Sequence, residues 1–338
     1  MHWYFLNAGT TDATAQWLFP FTARPGRNFH VVPAHYDVAE LLGAQTTGAL
    51  WRQYFAHSSR AWHMAAAGPK PYGFITTFPQ LAMTTALKKR LRRSRAPLVA
   101  WNFNLGALYG GPKGFFARHT ADGGIDSYIV HSVAEIDRYA RWLRVPRDLF
   151  HFVPLQRPTE PVMLNEDEQS PFLLAMGSAR RDYDLLCRVI GPLGIPTTIV
   201  AAAHAVEGIA VPPNVTVVRG LTRDQCDELT QRARLCVVPV LNDETASGQV
   251  TLITSMMYGR ATIATRCIGS EDYVEDRVDG WLIAPQSEDE MRNAIVKLWG
   301  DAQTRRAMGD AARGRVSTEL NDASTGKRLD AILKRLED

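Results

Sequence analysis

Cys236-Val237-Val238-Pro239-Val240 is an apolar run that leads into a polar loop ending Thr245-Ala246-Ser247-Gly248-Gln249, and then into a longer apolar stretch from Val250 to Tyr258. Gly259 stops that stretch, and Ala261-Thr262-Ile263-Ala264-Thr265 follows at once as a second short apolar run. Short run, small-residue loop, longer stretch and short run spell strand, loop, helix and strand. In such a βαβ unit the helix start lies at the carboxyl edge of a parallel sheet. Unpaired N–H groups and the positive end of the helix dipole converge there, so the site attracts anions. The predicted ligand is an anion, and a nucleotide pyrophosphate is the one expected.

Working outward, the same alternation fills the chain. Strands are predicted at His2–Leu6, Phe29–Pro33, Gly73–Thr77, Leu98–Asn102, Ser127–His131 and His151–Pro154, with helical patterns near Val38–Ala66, Pro79–Ser94 and Val133–Leu143. After residue 171 it restarts, with strands at Phe172–Met176, Thr197–Ala202, Val215–Val218, Leu235–Val240, Ala261–Thr265 and Trp281–Ile283. Helices are expected at Asp182–Leu193, Arg223–Arg232, Gly248–Tyr258, Glu288–Trp299, Ala302–Glu319 and Ala323–Leu336. Between the halves, a segment rich in proline and acidic residues reads as a linker. The expected division is a first α/β domain over 1–157, a linker over 158–171, a second α/β domain over 172–319, and a final helix over 320–338 that packs back on the first. Two such units joined by one linker imply parallel sheets facing a cleft, with ligands at their carboxyl edges.

The 338 residues are 46% hydrophobic and 22% charged, the balance of a globular protein rather than a disordered one. The net charge of +3 hides an asymmetry. Residues 1–157 hold 18 Lys and Arg against 8 Asp and Glu, which leaves 20 against 27 for residues 158–338. The basic half contains Lys88-Lys89-Arg90-Leu91-Arg92-Arg93-Ser94-Arg95 and a recurrence of Arg138, Arg141, Arg144 and Arg147. Such runs read as solvated helix surface, or as attraction to an anionic membrane or phosphorylated acceptor; nucleic acid is not the expected partner. Cys187, Cys226, Cys236 and Cys267 lack zinc-site spacing and read as reduced, buried thiols. The first residues carry no basic region followed by a long apolar stretch, and no later run reaches a membrane span. The expectation is a cytoplasmic protein, held at most peripherally at the inner face of the plasma membrane.

Gly177-Ser178-Ala179-Arg180-Arg181-Asp182-Tyr183 ends the first strand of the second half. Its glycine lets backbone approach a ligand, and Arg180 and Arg181 offer forked donors to phosphate. Asp182 reads as a helix N-cap, so Asp182 and Asp184 are not taken as a metal pair. The hydroxyls of Ser247 and Thr251 and the amides of Gly248, Gln249 and Val250 face the same predicted edge. In the first half, Gly9 and Thr10 follow the first strand, Asn102 and Asn104 end another, and His131 ends a third, where it reads as a core histidine before it reads as a base. Gly106 to Lys113 is not a P-loop, because Pro112 holds the lysine position.

On Gly177 to Tyr183, Asn214 to Gly220, Gly248 to Thr265, Gly269 to Val274 and Asp279 to Ile283, the region 172–318 resembles the nucleotide-sugar domain of GT-B-fold glycosyltransferases of the retaining family-4 type. The resemblance implies two Rossmann-like domains and a metal-independent transfer without a bound cofactor. The donor would be a UDP- or GDP-linked sugar, and the acceptor a glycan or a lipid-linked saccharide. It further implies that Arg181 foremost, or Arg180, neutralises the departing diphosphate together with the Gly248–Val250 amides, that Thr254 holds the ribose, and that residues near Arg219 hold the base. Gly9, Thr10, Asn102, Asn104 and His131 would fall on the acceptor side. The family pattern has two glutamates eight positions apart; here those positions hold Ala246 and Thr254, with Glu244 two residues earlier as the substitute. An inverting transferase with His131 as its base, a sugar-nucleotide epimerase of the same fold, and an inactive scaffold are the alternatives.

Overall fold

The computed structural model describes residues 1–36, 47–105, 108–244 and 246–338. Part of the helix expected near Val38–Ala66, the start of the segment at Gly106, and Thr245 therefore lie outside the described residues. The chain divides into two units, Met1–Val153 with Gly326–Asp338, and Pro154–Thr325.

In the first unit, β1 (His2–Leu6), β2 (Asn28–Val32), β3 (Tyr72–Thr77), β4 (Leu98–Trp101), β5 (Ser127–Val130) and β6 (Phe150–Phe152) form one sheet in the order β2-β1-β3-β4-β5-β6. Every neighbouring pair is parallel. The second unit's sheet comprises β7 (Leu173–Met176), β8 (Thr197–Val200), β9 (Val215–Val218), β10 (Leu235–Val238), β11 (Thr262–Thr265) and β12 (Trp281–Ile283), ordered β12-β11-β10-β7-β8-β9 and again parallel throughout. Two six-stranded doubly wound sheets are the α/β architecture expected from the alternation. One helix, Gly111–Ala121, was not expected. Its sequence opens on glycine and proline and has no apolar period, so no helical signal was legible there.

Strand side chains alternate between the faces of the first sheet. Tyr4 and Leu6 join Phe74, Leu98, Ala100, Tyr128 and Val130 in a core covered by the helices Thr47–Ala67, Pro79–Leu91, Gly111–Ala121 and Val133–Leu143. Trp3 and Phe5 join Val31, Ile75, Val99 and Ile129 on the other face. The connection from β1 to β2 contributes to that second face a short 3-10 turn, Phe19–Phe21, and no α-helix. Leu329, Ile332 and Leu333 of the last helix, Asp322–Glu337, complete the cover.

Charge fixes this closing helix. The Arg27 side chain is 1% exposed and meets Asp330 at 2.6 Å and Glu337 at 2.5 Å. It also donates to the Thr22 carbonyl at 2.6 Å, while Trp3 Nε1 donates to Glu337 at 2.7 Å. The Arg24 hydrogen bond, with Arg27 behind it, holds the Asp330 carboxyl down to about 2 against the opposing effect of burial. Removing one member of a buried pair leaves uncompensated charge, so Arg27→Met is expected to cost about 3–5 kcal/mol in urea unfolding at pH 7. A depressed carboxylate stabilises the fold above its ordinary range and loses that contribution as pH falls toward about 2. The gap between wild type and variant should therefore close on acidification, as followed by unfolding at successive pH values.

Candidate functional site

The second sheet reverses direction between β7 and β10, because β8 and β9 extend to one side of β7 while β10, β11 and β12 extend to the other. Loops leaving the carboxyl ends of two such neighbours separate, and the crevice between them is where open α/β sheets take ligands. Those loops are 177–182 after β7 and 239–248 after β10. They are stitched together: Asp182 N donates to Pro239 O at 3.1 Å and Leu241 N to Arg180 O at 3.1 Å.

Arg181 is the principal cross-link. Its Nε donates to Met176 O at 3.1 Å, its Nη1 to Ala179 O at 2.8 Å and Ser247 Oγ at 2.9 Å, and its Nη2 to Thr251 Oγ1 at 3.3 Å. Four of the five guanidinium N–H groups are thus spent on the protein. Burial lowers the pKa of Arg181, yet the group stays cationic. Gly177, at φ +110°, makes room for it, since a Cβ there would lie 2.5 Å from Nη2. Gly248, at φ +88°, starts the helix Gln249–Met257, and a Cβ there would meet Val238 at 2.7 Å. Arg180 differs from its neighbour. It is exposed, sits at φ +53°, and its guanidinium has no partner among the described residues.

The other predicted donor-side residues fall at several places. Ser178 Oγ accepts from Ala202 N at 2.8 Å, tying the β7 loop to the β8 loop. Val250 is exposed at the helix start, whereas Gln249 is buried with Nε2 at 3.5 Å from Tyr273 Oη. Arg219 is exposed beyond β9, two strands from β7. Glu244 is exposed on the β10 loop. Thr254 is 5% exposed, and its hydroxyl donates to Val250 O at 2.8 Å within its own helix. Asp182 caps the helix Tyr183–Leu193 by accepting from Leu185 N at 3.0 Å, and Asp184 pairs with Arg188. Among the described residues no group of three or more His, Cys, Asp or Glu is placed to hold a metal ion.

In the first unit the switch lies between β1 and β3. Gly9 and Thr10 follow β1, shaped by Asn7, whose Oδ1 accepts from Gly9 N at 3.1 Å and from Thr77 Oγ1 at 3.0 Å, and whose Nδ2 donates to Thr10 Oγ1 at 2.8 Å. Sequence reasoning passed over Asn7 and Thr77; a polar residue immediately after a strand was the available signal. Asn102, at φ +53°, and Asn104 follow β4. His131 is 4% exposed, donates from Nδ1 to Val153 O at 2.6 Å, and is pushed down to about 4 by burial, so the imidazole is neutral. Close by in sequence, Glu135 is buried and accepts from Tyr139 Oη at 2.7 Å, and that hydroxyl in turn accepts from Leu105 N at 3.2 Å. The basic run is partly structural: Lys89 is buried against Asp126, Arg90 donates to the Asp122 carbonyl, and Lys88 and Arg92 lie over the rings of Phe55 and Trp62.

Two doubly wound units, the second with an anion-ready loop pair at its switch point, are the GT-B architecture of glycosyltransferases. The fold resembles that of sucrose-phosphate synthase from Thermosynechococcus elongatus, at TM-score 0.77 and 15% identity over 99% of each chain. It also resembles HepE of Anabaena in complex with UDP-glucose, at TM-score 0.70 and 14% identity over 99% of this chain and 100% of that one. A glycosyltransferase of Rickettsia africae matches at TM-score 0.73 and 10% identity over 100% and 98%. No curated protein sequence matches. Residues 162–301 are similar to the family described as glycosyl transferases group 1, a match that lies within the second unit.

Two outcomes follow from these placements. Because the Thr254 hydroxyl is spent inside its helix, Thr254→Val is expected to leave UDP affinity unchanged in calorimetry; a tenfold loss, about 1.4 kcal/mol, would return that hydroxyl to the ligand. Burial raises Glu135 to about 7, with the Tyr139 hydrogen bond opposing. The folded protein then keeps a proton that the unfolded chain releases from about pH 4.5 upward, so stability falls as pH rises toward 7. Glu135→Gln should melt like wild type near pH 4 and above it at pH 8.

Proposed function

We propose that the protein is a glycosyltransferase that moves a sugar from a UDP- or GDP-linked donor to a glycan or lipid-linked acceptor, with retention at the anomeric carbon and without a metal ion. The observation that carries the reading is the switch point of the second unit, where Arg181 ties the loop that bears Arg180 to Ser247 and Thr251 at the helix start. Breaking the bond between the sugar and the diphosphate leaves the electron pair on a phosphate oxygen. Fixed donors aimed at that developing charge are the largest catalytic contribution such a site offers. Support for the donor class comes from HepE, which was solved with UDP-glucose. Support for retention is the absence of a second exposed base in the predicted set: His131 is buried, and Glu244 lies on the donor side.

Binding comes first in the test. Either UDP or GDP at about 100 times its Kd should stabilise the protein by about 2.7 kcal/mol, and no stabilisation by either would overturn the donor assignment. Transfer that persists in EDTA supports metal independence, and an inverted anomer in the product overturns retention.

The two arginines separate phosphate contact from framework. Arg180→Ala is expected to leave the melting temperature unchanged and to weaken UDP by about 1.5–3 kcal/mol while sparing uridine. Arg181→Ala should lower both stability and UDP affinity, because it unties Ser247 and Thr251 from the β7 loop. Equal losses of UDP and uridine in Arg180→Ala, measured by calorimetry, would remove Arg180 from the diphosphate.

A further inference from the structure

The helix Gly111–Ala121 has no part in the proposed transfer, and its composition is unlike that of its neighbours. Gly111-Pro112-Lys113-Gly114-Phe115-Phe116-Ala117-Arg118-His119-Thr120-Ala121 holds two cations, a histidine and no carboxylate. Gly114, Thr120 and Ala121 are buried against the unit, and Ala117 packs on its core. Facing outward are Phe115, 68% exposed, and Phe116, 47% exposed. Lys113 and His119 are exposed on the same helix. The adjoining helix Pro79–Leu91 packs beside it and ends in Leu91, 76% exposed, followed by exposed Arg92, Arg93 and Arg95. Arg90, donating to the Asp122 carbonyl, ties the two helix ends together.

Large aromatic side chains pointing into solvent are costly unless something covers them, and two neighbouring ones on one helix mark an interaction surface. The chemistry of the cover is set by charge. The helix has no carboxylate, Arg92, Arg93 and Arg95 follow the adjoining helix Pro79–Leu91, and residues 1–157 hold 18 Lys and Arg against 8 Asp and Glu. Aromatic residues that enter the headgroup layer while Lys and Arg remain among the phosphates are the pattern of a helix lying on a membrane. Neither signal suffices alone: a short apolar insertion is weak, and isolated charge attraction disappears with salt.

We propose that the first unit docks on an anionic lipid surface through the helix Gly111–Ala121, with Phe115 and Phe116 entering the headgroup layer and Lys113, Arg92, Arg93 and Arg95 contacting lipid phosphates. This differs from attachment by the run Lys88–Arg95 alone, because Lys89 of that run is buried against Asp126 and the apolar part resists screening. The reading is independent of which sugar is transferred, and it is tested on the full chain without any turnover.

Co-sedimentation with vesicles of phosphatidylcholine containing phosphatidylserine, against phosphatidylcholine alone, should show binding to the anionic vesicles at low salt, reduced but not abolished at high salt. Phe115→Ser with Phe116→Ser should weaken that partition about tenfold or more. The double exchange to Trp should keep it, and melting temperature and UDP binding should stay as in wild type for both. Replacing Lys113, Arg92, Arg93 and Arg95 by Gln should make the remaining binding insensitive to lipid charge, and binding that still follows lipid charge would remove these side chains from the contact. Wild type that ignores anionic vesicles at low salt overturns the proposal and leaves an acidic protein as the cover. Serine variants that bind as well as wild type overturn it too, since the helix would then not be the contact.

Discussion

A parallel sheet is apolar on both faces, and each face must be covered; most of this chain's architecture answers that requirement. In the first unit every connection from β2 onward climbs in one direction across the sheet, so the described helices all land on one face. The other face receives Trp17 and Phe19 from the β1–β2 connection and would be left half open. The last helix fills the gap, and Arg27 holds it by sharing its guanidinium between Asp330 and Glu337. An arginine with its side chain almost fully out of water is tolerated because two carboxylates and a carbonyl replace the water it gave up.

The second unit winds both ways from β7, which covers its faces with its own helices and creates the switch point as a by-product. What the loops there need is rigidity. In the transfer proposed above, a diphosphate leaving group develops charge within one bond length, and donors that had to move to meet it would waste their advantage. Arg181 supplies that rigidity by joining Met176, Ala179, Ser247 and Thr251, and the missing side chain at Gly177 is what allows its plane to lie so close to the backbone. The strained, exposed Arg180 next to it is the complement: a cation whose backbone is fixed through Leu241 and whose side chain is uncommitted.

Much of this was legible in the sequence, and the limits have physical reasons. The strands were readable because β-branched and apolar residues gather in short runs between turn residues, and the helix after Gly248 because its apolar stretch ends at a glycine with φ +66°. The helix Gly111–Ala121 was not, since proline at its first turn and two outward phenylalanines give no amphipathic period. Adjacent arginines look alike in a sequence; which one spends its donors on the protein depends on carbonyls and hydroxyls up to 70 residues away. The burial of Lys89 within a cationic run depends likewise on Asp126, 37 residues on.

The placing of the last helix bears on how the protein is made. The second unit is one unbroken insertion of 172 residues, Pro154–Thr325, between the body of the first unit and the segment that finishes it. At about 5–20 residues per second a ribosome needs roughly ten to thirty-five seconds to pass through it. During that interval Trp3, Phe5, Ile75 and Val99 belong to a sheet whose cover has not yet been synthesised. The first sheet therefore waits for its last cover through about half of the chain's translation, with an apolar face open in the meantime.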